Sequence, residues 1–318
     1  MKMNLNFLHF KKHNKSIEPK KETRIKSKKG LIISSVVAGS AVAIGIALTV
    51  ILIIPNIFPP IEFDYSKLNI TELDDDYSGV YKKFKNSTGV DDYTKIYKPD
   101  EMVNIGLLNA TNLESFKTIT TGTVKASIAT QVVRSTYIKE NEKHFYENIS
   151  SGLVKVGFRF YQKDEMVELI SGKNITESSA NWVEGKSTSL TTSEYDEQWG
   201  KDLSRRTIYI ISSKTVLDTS TSEKTSDGYT VTIDLNPDLG SARYVKQIIM
   251  TSGLDRNPIF HSIKLTYHLD SNLMIQDVNM VSNYEVYKMI YVPSDEQLIE
   301  KYFYGDYQIP SLEEKCEY

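Results

Sequence analysis

The side chains most often used for metal binding and acid–base catalysis are few and poorly spaced in this sequence. Of the five histidines, His9 and His13 precede a long apolar run, and His261 and His268 stand seven positions apart. Because side chains alternate between the two faces of a strand, an odd separation would place the latter two on opposite faces. No pair has the spacing of a zinc site, and the single cysteine, Cys316, has no second thiol to join it. The sequence therefore predicts no metal site.

An acidic run resembles the start of a calcium-binding loop. Asp74, Asp76, Ser78 and Gly79 follow the spacing of the first ligands and the turning glycine of such a loop. The last ligand position should supply a bidentate carboxylate, but Lys85 stands there. The pattern favours a solvated acidic turn over a calcium site.

Motifs of nucleophilic and nucleotide-dependent catalysis are missing from the sequence. It contains no serine nucleophile elbow, no Walker phosphate loop and no dinucleotide-binding glycine run. The sequence accordingly predicts no catalytic residue and no cofactor. A cell-wall hydrolase stays open as the least favoured hypothesis, because abundant Asp and Glu side chains could converge with Ser or His in a cleft.

The longest apolar run predicts a membrane anchor. Leu31–Ile54 carries no charge, and as a helix it would span roughly 36 Å, enough to cross a hydrocarbon core of about 30 Å. It is longer than the apolar part of a cleaved signal peptide, and Pro55 ends it at the interface. Gly39, Ala43 and Ala47 recur at four-residue spacing, which can let two such helices approach and associate weakly.

Charge distribution predicts the orientation of this anchor. The first thirty residues hold ten Lys and Arg against Glu18 and Glu22. Basic flanks stay on the cytoplasmic side, so the C-terminal part should lie outside the cell membrane. The whole chain has 38 Lys and Arg against 41 Asp and Glu, so the part beyond the basic tail is acidic. An acidic domain argues against binding to nucleic acid, which requires a basic face.

These signals divide the chain into four parts. We predict a basic cytoplasmic tail (residues 1–30) and a transmembrane helix (31–54). An extracellular stalk (55–98) and an extracellular folded domain (99–318) follow. The single cysteine excludes an intrachain disulfide, and a domain of this size can bury an adequate core without one. A surface protein without disulfides fits a Gram-positive-type bacterium, and the Lys-, Asn-, Ile- and Tyr-rich composition resembles that of AT-rich bacterial genomes.

Alternating apolar and polar residues predict a strand-rich domain. We expect strands at 124–132, 137–146 (two strands turning at 140–142), 154–160, 166–170, 207–213, 216–222, 229–235, 263–269 and 273–287. We expect helices at 100–114, 194–203, 241–252 and 294–304. The last of these rests on a capping box formed by Ser294 and Gln297, with Gly305 as its end. The result is an α+β fold with a large, curled antiparallel sheet like a half-barrel and a few packed helices.

The order of elements in the C-terminal half resembles the lipoprotein-carrier family of LolA and the mycobacterial LppX and LprG proteins. The resemblance covers about residues 99–292 and rests on three features. These are a strand after Asp227-Gly228-Tyr229, a helix after Asn236-Pro237, and the hairpin of Ile263–Leu269 with Leu273–Tyr287. It implies a sheet that wraps an apolar cavity plugged by helices and binds a lipid or another apolar ligand. A protein anchor departs from this family, so capture or sensing at the membrane fits better than shuttling.

The apolar faces of the predicted strands are the candidate ligand-binding residues. They are Phe158, Phe160, Tyr229, Val231, Ile233, Leu265 and Tyr267. If these side chains line an open cavity, the domain binds an apolar envelope ligand. If helices seal them, they form an ordinary core, and a structural subunit of an envelope complex or an adhesin becomes the better hypothesis.

Overall fold

A computed structural model describes residues 62–311 except 127–128, 153–154, 200–202, 205–206, 253, 255 and 289. The predicted cytoplasmic tail, the anchor Leu31–Ile54 and Cys316 lie outside the described residues. Within the described part, no helix combines the length and apolar character needed to cross a membrane. The anchor therefore stays a prediction from sequence.

Eleven strands form one open antiparallel sheet, which confirms the large antiparallel sheet of the predicted α+β class. The strands are β1 Ser115–Ala126, β2 Ala129–Glu140, β3 Lys143–Ser151, β4 Val156–Lys163, β5 Met166–Lys173, β6 Asn181–Thr191, β7 Thr221–Lys224, β8 Gly228–Leu235, β9 Ile259–Asp270, β10 Ile275–Lys288 and β11 Ile290–Tyr304. Their order across the sheet is β6-β5-β4-β3-β2-β1-β11-β10-β9-β8-β7.

The sheet consists of two meanders joined by one long-range pairing. β1 to β6 run outward in chain order, and β7 to β11 run back from the opposite edge to the centre. The meanders meet where β1 pairs with β11, from Phe116↔Tyr304 to Ala126↔Ser294. Since β6 and β7 lie at opposite edges, the chain between them, residues 192–220, has to cross the sheet. We call it the crossover.

Helices cover one face of the sheet, which we call the helix-covered face. They are α1 Ser78–Lys85, α2 Pro99–Thr111, α3 Thr192–Trp199, α4 Pro237–Gly240 and α5 Ala242–Ser252. Helix α2 starts with Pro99 at its first position, and the Glu101 carboxylate accepts a hydrogen bond from the Lys98 backbone N–H at 2.8 Å. It buries Met102, Val103 and Ile105 completely. The main core therefore lies between this face and the helices, within the described residues, as in a domain able to fold alone.

Residues 62–98, predicted as a stalk, pack on the folded domain. Phe84 and Tyr97 belong to the main core. The Tyr77 hydroxyl donates to the buried carboxylate of Asp100 at 2.7 Å, and Arg243 forms an ion pair with Asp74. Residues 62–98 thus pack as part of the folded domain, although the boundary was predicted near Pro99.

The opposite face of the sheet is also buried over part of its area. The outer cluster, packed under Tyr307 and Ile309 of the C-terminal segment, comprises Ile138, Phe145, Ile149, Ile170, Ile175, Ala180 and Trp182. Within it, the fully buried Arg159 donates from Nε to Glu147 Oε2 at 2.5 Å and lies over the Trp182 ring at 4.3 Å. The face of β4 opposite the helices is therefore buried and not solvated, because a loop and the C-terminal segment cover it.

Local turn signals are confirmed where they link neighbouring strands. The predicted turn at 140–142 joins β2 to β3, and residues 164–165 turn between β4 and β5. Asn141 and Asp164 in these turns adopt positive φ angles of 53° and 54°. The strands at 229–235 and 263–269 and the helix beginning near Ser241 are confirmed.

Some of the predicted elements are wrong, and one strand was not predicted. The predicted helix at 294–304 is strand β11, because pairing with β1 and β10 on both sides outweighs the local capping pattern of Ser294 and Gln297. Residues 207–213 form no strand, because they belong to the crossover. The predicted strand 124–132 is two strands, since Ala126 pairs with Ala129. Strand β6 lies in a stretch that appeared too polar to predict one.

Gly122 provides a test of the pairing between the two meanders. A Cβ atom at Gly122 would overlap the carbonyl oxygen of Gln297 and lie 2.7 Å from Leu298 Cα. We expect Gly122→Ala to lower the free energy of unfolding by about 1–3 kcal/mol, because the β1–β11 backbone has to move. Urea unfolding of residues 62–318 measures this change.

The matched control is Gly79→Ala in α1, where no atom lies within 4 Å of the added Cβ. This change should be neutral or stabilising by up to about 1 kcal/mol, because alanine favours a helix over glycine. Equal destabilisation by both changes would contradict the role given to Gly122.

Candidate functional site

The crossover and the helix-covered face enclose a partly open cavity of about 120 Å³. It is lined by Thr120, Val133, Ser135, Tyr137, Tyr146, Phe160, Tyr195, Trp199, Leu203, Thr207, Ile208, Tyr209, Tyr244, Gln247, Tyr267, Val278, Met280, Glu296, Leu298 and Glu300. Strands β1 to β4 and β9 to β11 form its floor, and α3, α5 and the described part of the crossover form its roof. Sheet topology thus creates the site, because the crossover is carried over the central strands.

Three aromatic rings form one wall of the cavity. Phe160 of β4 meets Tyr195 and Trp199 of α3 edge to face, with ring centroids 5.0 and 5.6 Å apart. Tyr195 and Trp199 are one helical turn apart and stack at 5.9 Å with an interplanar angle of 24°. These contacts fix the ring orientations and present apolar surface to the cavity.

Two carboxylates of β11 form the polar part of the floor. Buried Glu296 accepts hydrogen bonds from the Tyr244 hydroxyl at 3.1 and 3.2 Å and from Ser282 Oγ at 3.0 Å. Glu300 accepts one from Thr118 Oγ1 at 2.7 Å. Both carboxylates therefore have hydroxyl partners within the protein.

Glu296 is surrounded by tyrosines that are held in the neutral form. Burial raises the pKa of Tyr209, Tyr244 and Tyr284 well above the usual value of 10, and the negative charge of Glu296 raises each pKa further. These tyrosines therefore act as hydroxyl groups, and not as phenolates, throughout the physiological range.

The structure separates the predicted ligand-binding residues into two sets. Phe160 and Tyr267 line the cavity. The others are buried in the main core away from the cavity lining: Phe158, Tyr229, Val231, Ile233 and Leu265. Tyr195 and Trp199 were missed as site residues because they lie in the crossover, in a stretch where no strand alternation marks an inward face. Their aromatic character within a polar stretch was the available signal. Tyr209 was missed because it lies in the predicted strand 207–213, which does not form.

The histidines of β9 lie on one face of the sheet, contrary to the prediction. His268 Nδ1 lies 2.6 Å from Asp277, and His261 Nε2 lies 3.4 Å from Glu285, eight residues further along β10. A register shift in the β9–β10 pairing near Tyr284 places both histidines on the same face.

Across the described residues, no three His, Cys, Asp or Glu side chains are grouped so as to hold a metal ion.

Comparison with known proteins places the chain only coarsely. No family model matches it, and no curated protein matches it in sequence. The solved structure of LprF from Mycobacterium bovis superposes on it with a TM-score of 0.31 and 9% identity, over 63% of this chain and 90% of that chain. At this score the likeness is a weak one of fold, of the LolA/LppX-like type, and says nothing about a ligand.

The Glu296 network predicts a specific response to alkaline pH. Since the folded pKa of Tyr244 lies above its unfolded pKa of about 10, its contribution to stability is complete below pH 10 and is lost as pH rises further. Tyr244→Phe should lower the free energy of unfolding at pH 7 by about 1.5–3 kcal/mol, the range for a hydrogen bond to a charged group. It should also make the decline above pH 10 less steep, by up to about 1.4 kcal/mol per pH unit.

Urea unfolding across this pH range measures both effects. Ser282→Ala is the control, because it removes another hydrogen bond to Glu296 without removing a phenol, and it should leave the slope above pH 10 unchanged. The same loss of slope in both variants would contradict the assignment to Tyr244.

Proposed function

We propose that this protein is a non-enzymatic, single-pass cell-surface protein whose outer domain binds an apolar ligand in the cavity beneath the crossover. The observation that supports it best is the fixed wall of Phe160, Tyr195 and Trp199 facing a cavity between sheet and helices. Ligand sites are typically concave and mostly apolar, with a few polar groups that orient the ligand. Glu296 and Glu300 supply such groups here.

Cavity size limits what the site accepts without rearrangement. An engineered apolar cavity of about 150 Å³ holds benzene, so about 120 Å³ accommodates a small apolar group or one end of a longer chain. A complete lipid would require the crossover to move away from the sheet. In the described part of the crossover, the Val216–Leu235 bridge and backbone hydrogen bonds such as Ile210 N–H to Gly240 O and Leu217 N–H to Asp234 O would resist this movement.

The predicted anchor sets the place of action that we propose. The basic tail and Leu31–Ile54 would hold the domain at the external face of the cell membrane. Seven residues lie between Ile54 and Glu62. Even as fully extended chain they would span only about 25 Å, so the domain would stay close to the membrane surface. Capture or sensing of a membrane-derived ligand fits this short tether.

A second candidate function rests on a different observation. On the face opposite the helices, Val281 of β10 and Ile299 and Phe303 of β11 are 38–44% exposed. Exposed apolar side chains on neighbouring strands are typical of protein interfaces. They favour an interaction subunit of an envelope complex as the alternative.

Native mass spectrometry of residues 62–318, with organic extraction of co-purified material, tests the leading proposal. A stoichiometric lipid or other apolar adduct is the expected result. A ligand-free mass from several hosts and after incubation with membrane lipids would refute the proposal and leave the interaction subunit.

A pair of neighbouring substitutions locates the binding. Thr120 lines the cavity, and Thr121 points to the opposite face and is exposed. Thr120→Phe should fill the cavity and reduce the bound adduct at least about tenfold, because the ring replaces the space available to a ligand. Thr121→Phe should leave the adduct unchanged, and circular dichroism checks that both variants fold. Equal adduct in both would place the ligand elsewhere.

A further inference from the structure

We infer that the cavity recognises a hydrogen-bond acceptor oxygen on its apolar ligand, such as an ester or amide carbonyl, through the indole N–H of Trp199. This inference rests on the proposed function and specifies the chemistry of its ligand. It makes Trp199 a specificity-determining residue, since the same ring supplies apolar contact and one directional polar contact.

The first observation is an unsatisfied donor. Trp199 is 1% exposed, and its Nε1 has no hydrogen-bond acceptor among the described residues. Indole can only donate, so this N–H needs an acceptor atom as its partner. Buried polar groups without a partner are rare in folded proteins and generally mark a bound water, an ion or a functional role.

The second observation is that the ring is held in place. Trp199 stacks on Tyr195 on its own helix and meets Phe160 of β4 edge to face at 5.6 Å. Rotating the indole to reach another acceptor would break both contacts. The acceptor therefore has to come to the ring, and the cavity that Trp199 lines is where it can arrive.

An oxygen attached to an apolar chain suits this lining better than an isolated water does. Polar groups such as Glu296 and Glu300 are part of the lining, but most of its surface is apolar and includes Phe160, Leu203 and Leu298. A water would satisfy the indole and leave this apolar surface uncovered. A carbonyl needs only the indole donor, and the chain attached to it gains contact with these apolar side chains.

Two probes of equal heavy-atom count separate the polar contact from apolar burial: methyl octanoate, which has an ester oxygen, and undecane, which has none. The chain contains two tryptophans, so the indole region of a ¹H–¹⁵N spectrum of residues 62–318 should show two signals. Trp199→Phe and Trp182→Phe assign them. Trp182 lies in the outer cluster and serves as the internal reference.

We expect methyl octanoate to move the Trp199 indole proton downfield and slow its exchange with solvent, and undecane to do neither, with Trp182 unaffected by both. Replacing Trp199 by benzothienylalanine keeps the ring shape and removes the donor. This replacement should weaken methyl octanoate binding about fivefold, the effect of one neutral hydrogen bond, and leave undecane binding unchanged.

The outcomes are distinguishable from failure of the proposed function. If both probes bind and neither changes the Trp199 indole signal, or if the replacement weakens both equally, the ligand site stands and the role of the indole N–H is overturned. If the free protein already shows a slowly exchanging, downfield indole that the ester does not alter, a bound water is the acceptor and the inference fails. If neither probe binds, the proposed function and this inference fail together.

Discussion

The pairing of β1 with β11 is the constraint on which the rest of the structure depends. Every other pairing between the described strands joins strands that are consecutive in the chain, whereas this one joins residues more than 160 positions apart. It converts two meanders into one sheet and places β6 and β7 at opposite edges. Such a contact has a large loop-closure entropy, so its side chains must compensate, and Gly122 allows the two backbones to approach.

The cavity follows from this arrangement. With the edges far apart, the crossover has to pass over the central strands, and it brings Tyr195 and Trp199 against Phe160. Beneath it, β11 places Glu296 at the centre of the sheet, where Tyr244 and Ser282 satisfy it. One long-range pairing thus creates both the apolar wall and the polar floor of the candidate site.

The two faces of the sheet are covered in different ways. Helices cover one face but leave a gap at its centre, which gives the domain its cavity. On the other face, the C-terminal segment closes over the Arg159–Glu147 pair and Trp182. A buried ion pair is weak evidence of stability but strongly opposes exposure of one partner alone, so this part of the face stays closed.

The sequence by itself determined the elements whose signals are local: the turn at 140–142, the alternating strand ending at Leu235, and the helix beginning near Ser241. It also placed Phe160 and Tyr267 on inward faces, because alternation assigns a side chain to a face. The tertiary structure decided which inward residues meet a cavity and which meet a helix. It also decided that the helix-like stretch after Ser294 is a central strand, because hydrogen bonding to strands on both sides outweighs local propensity.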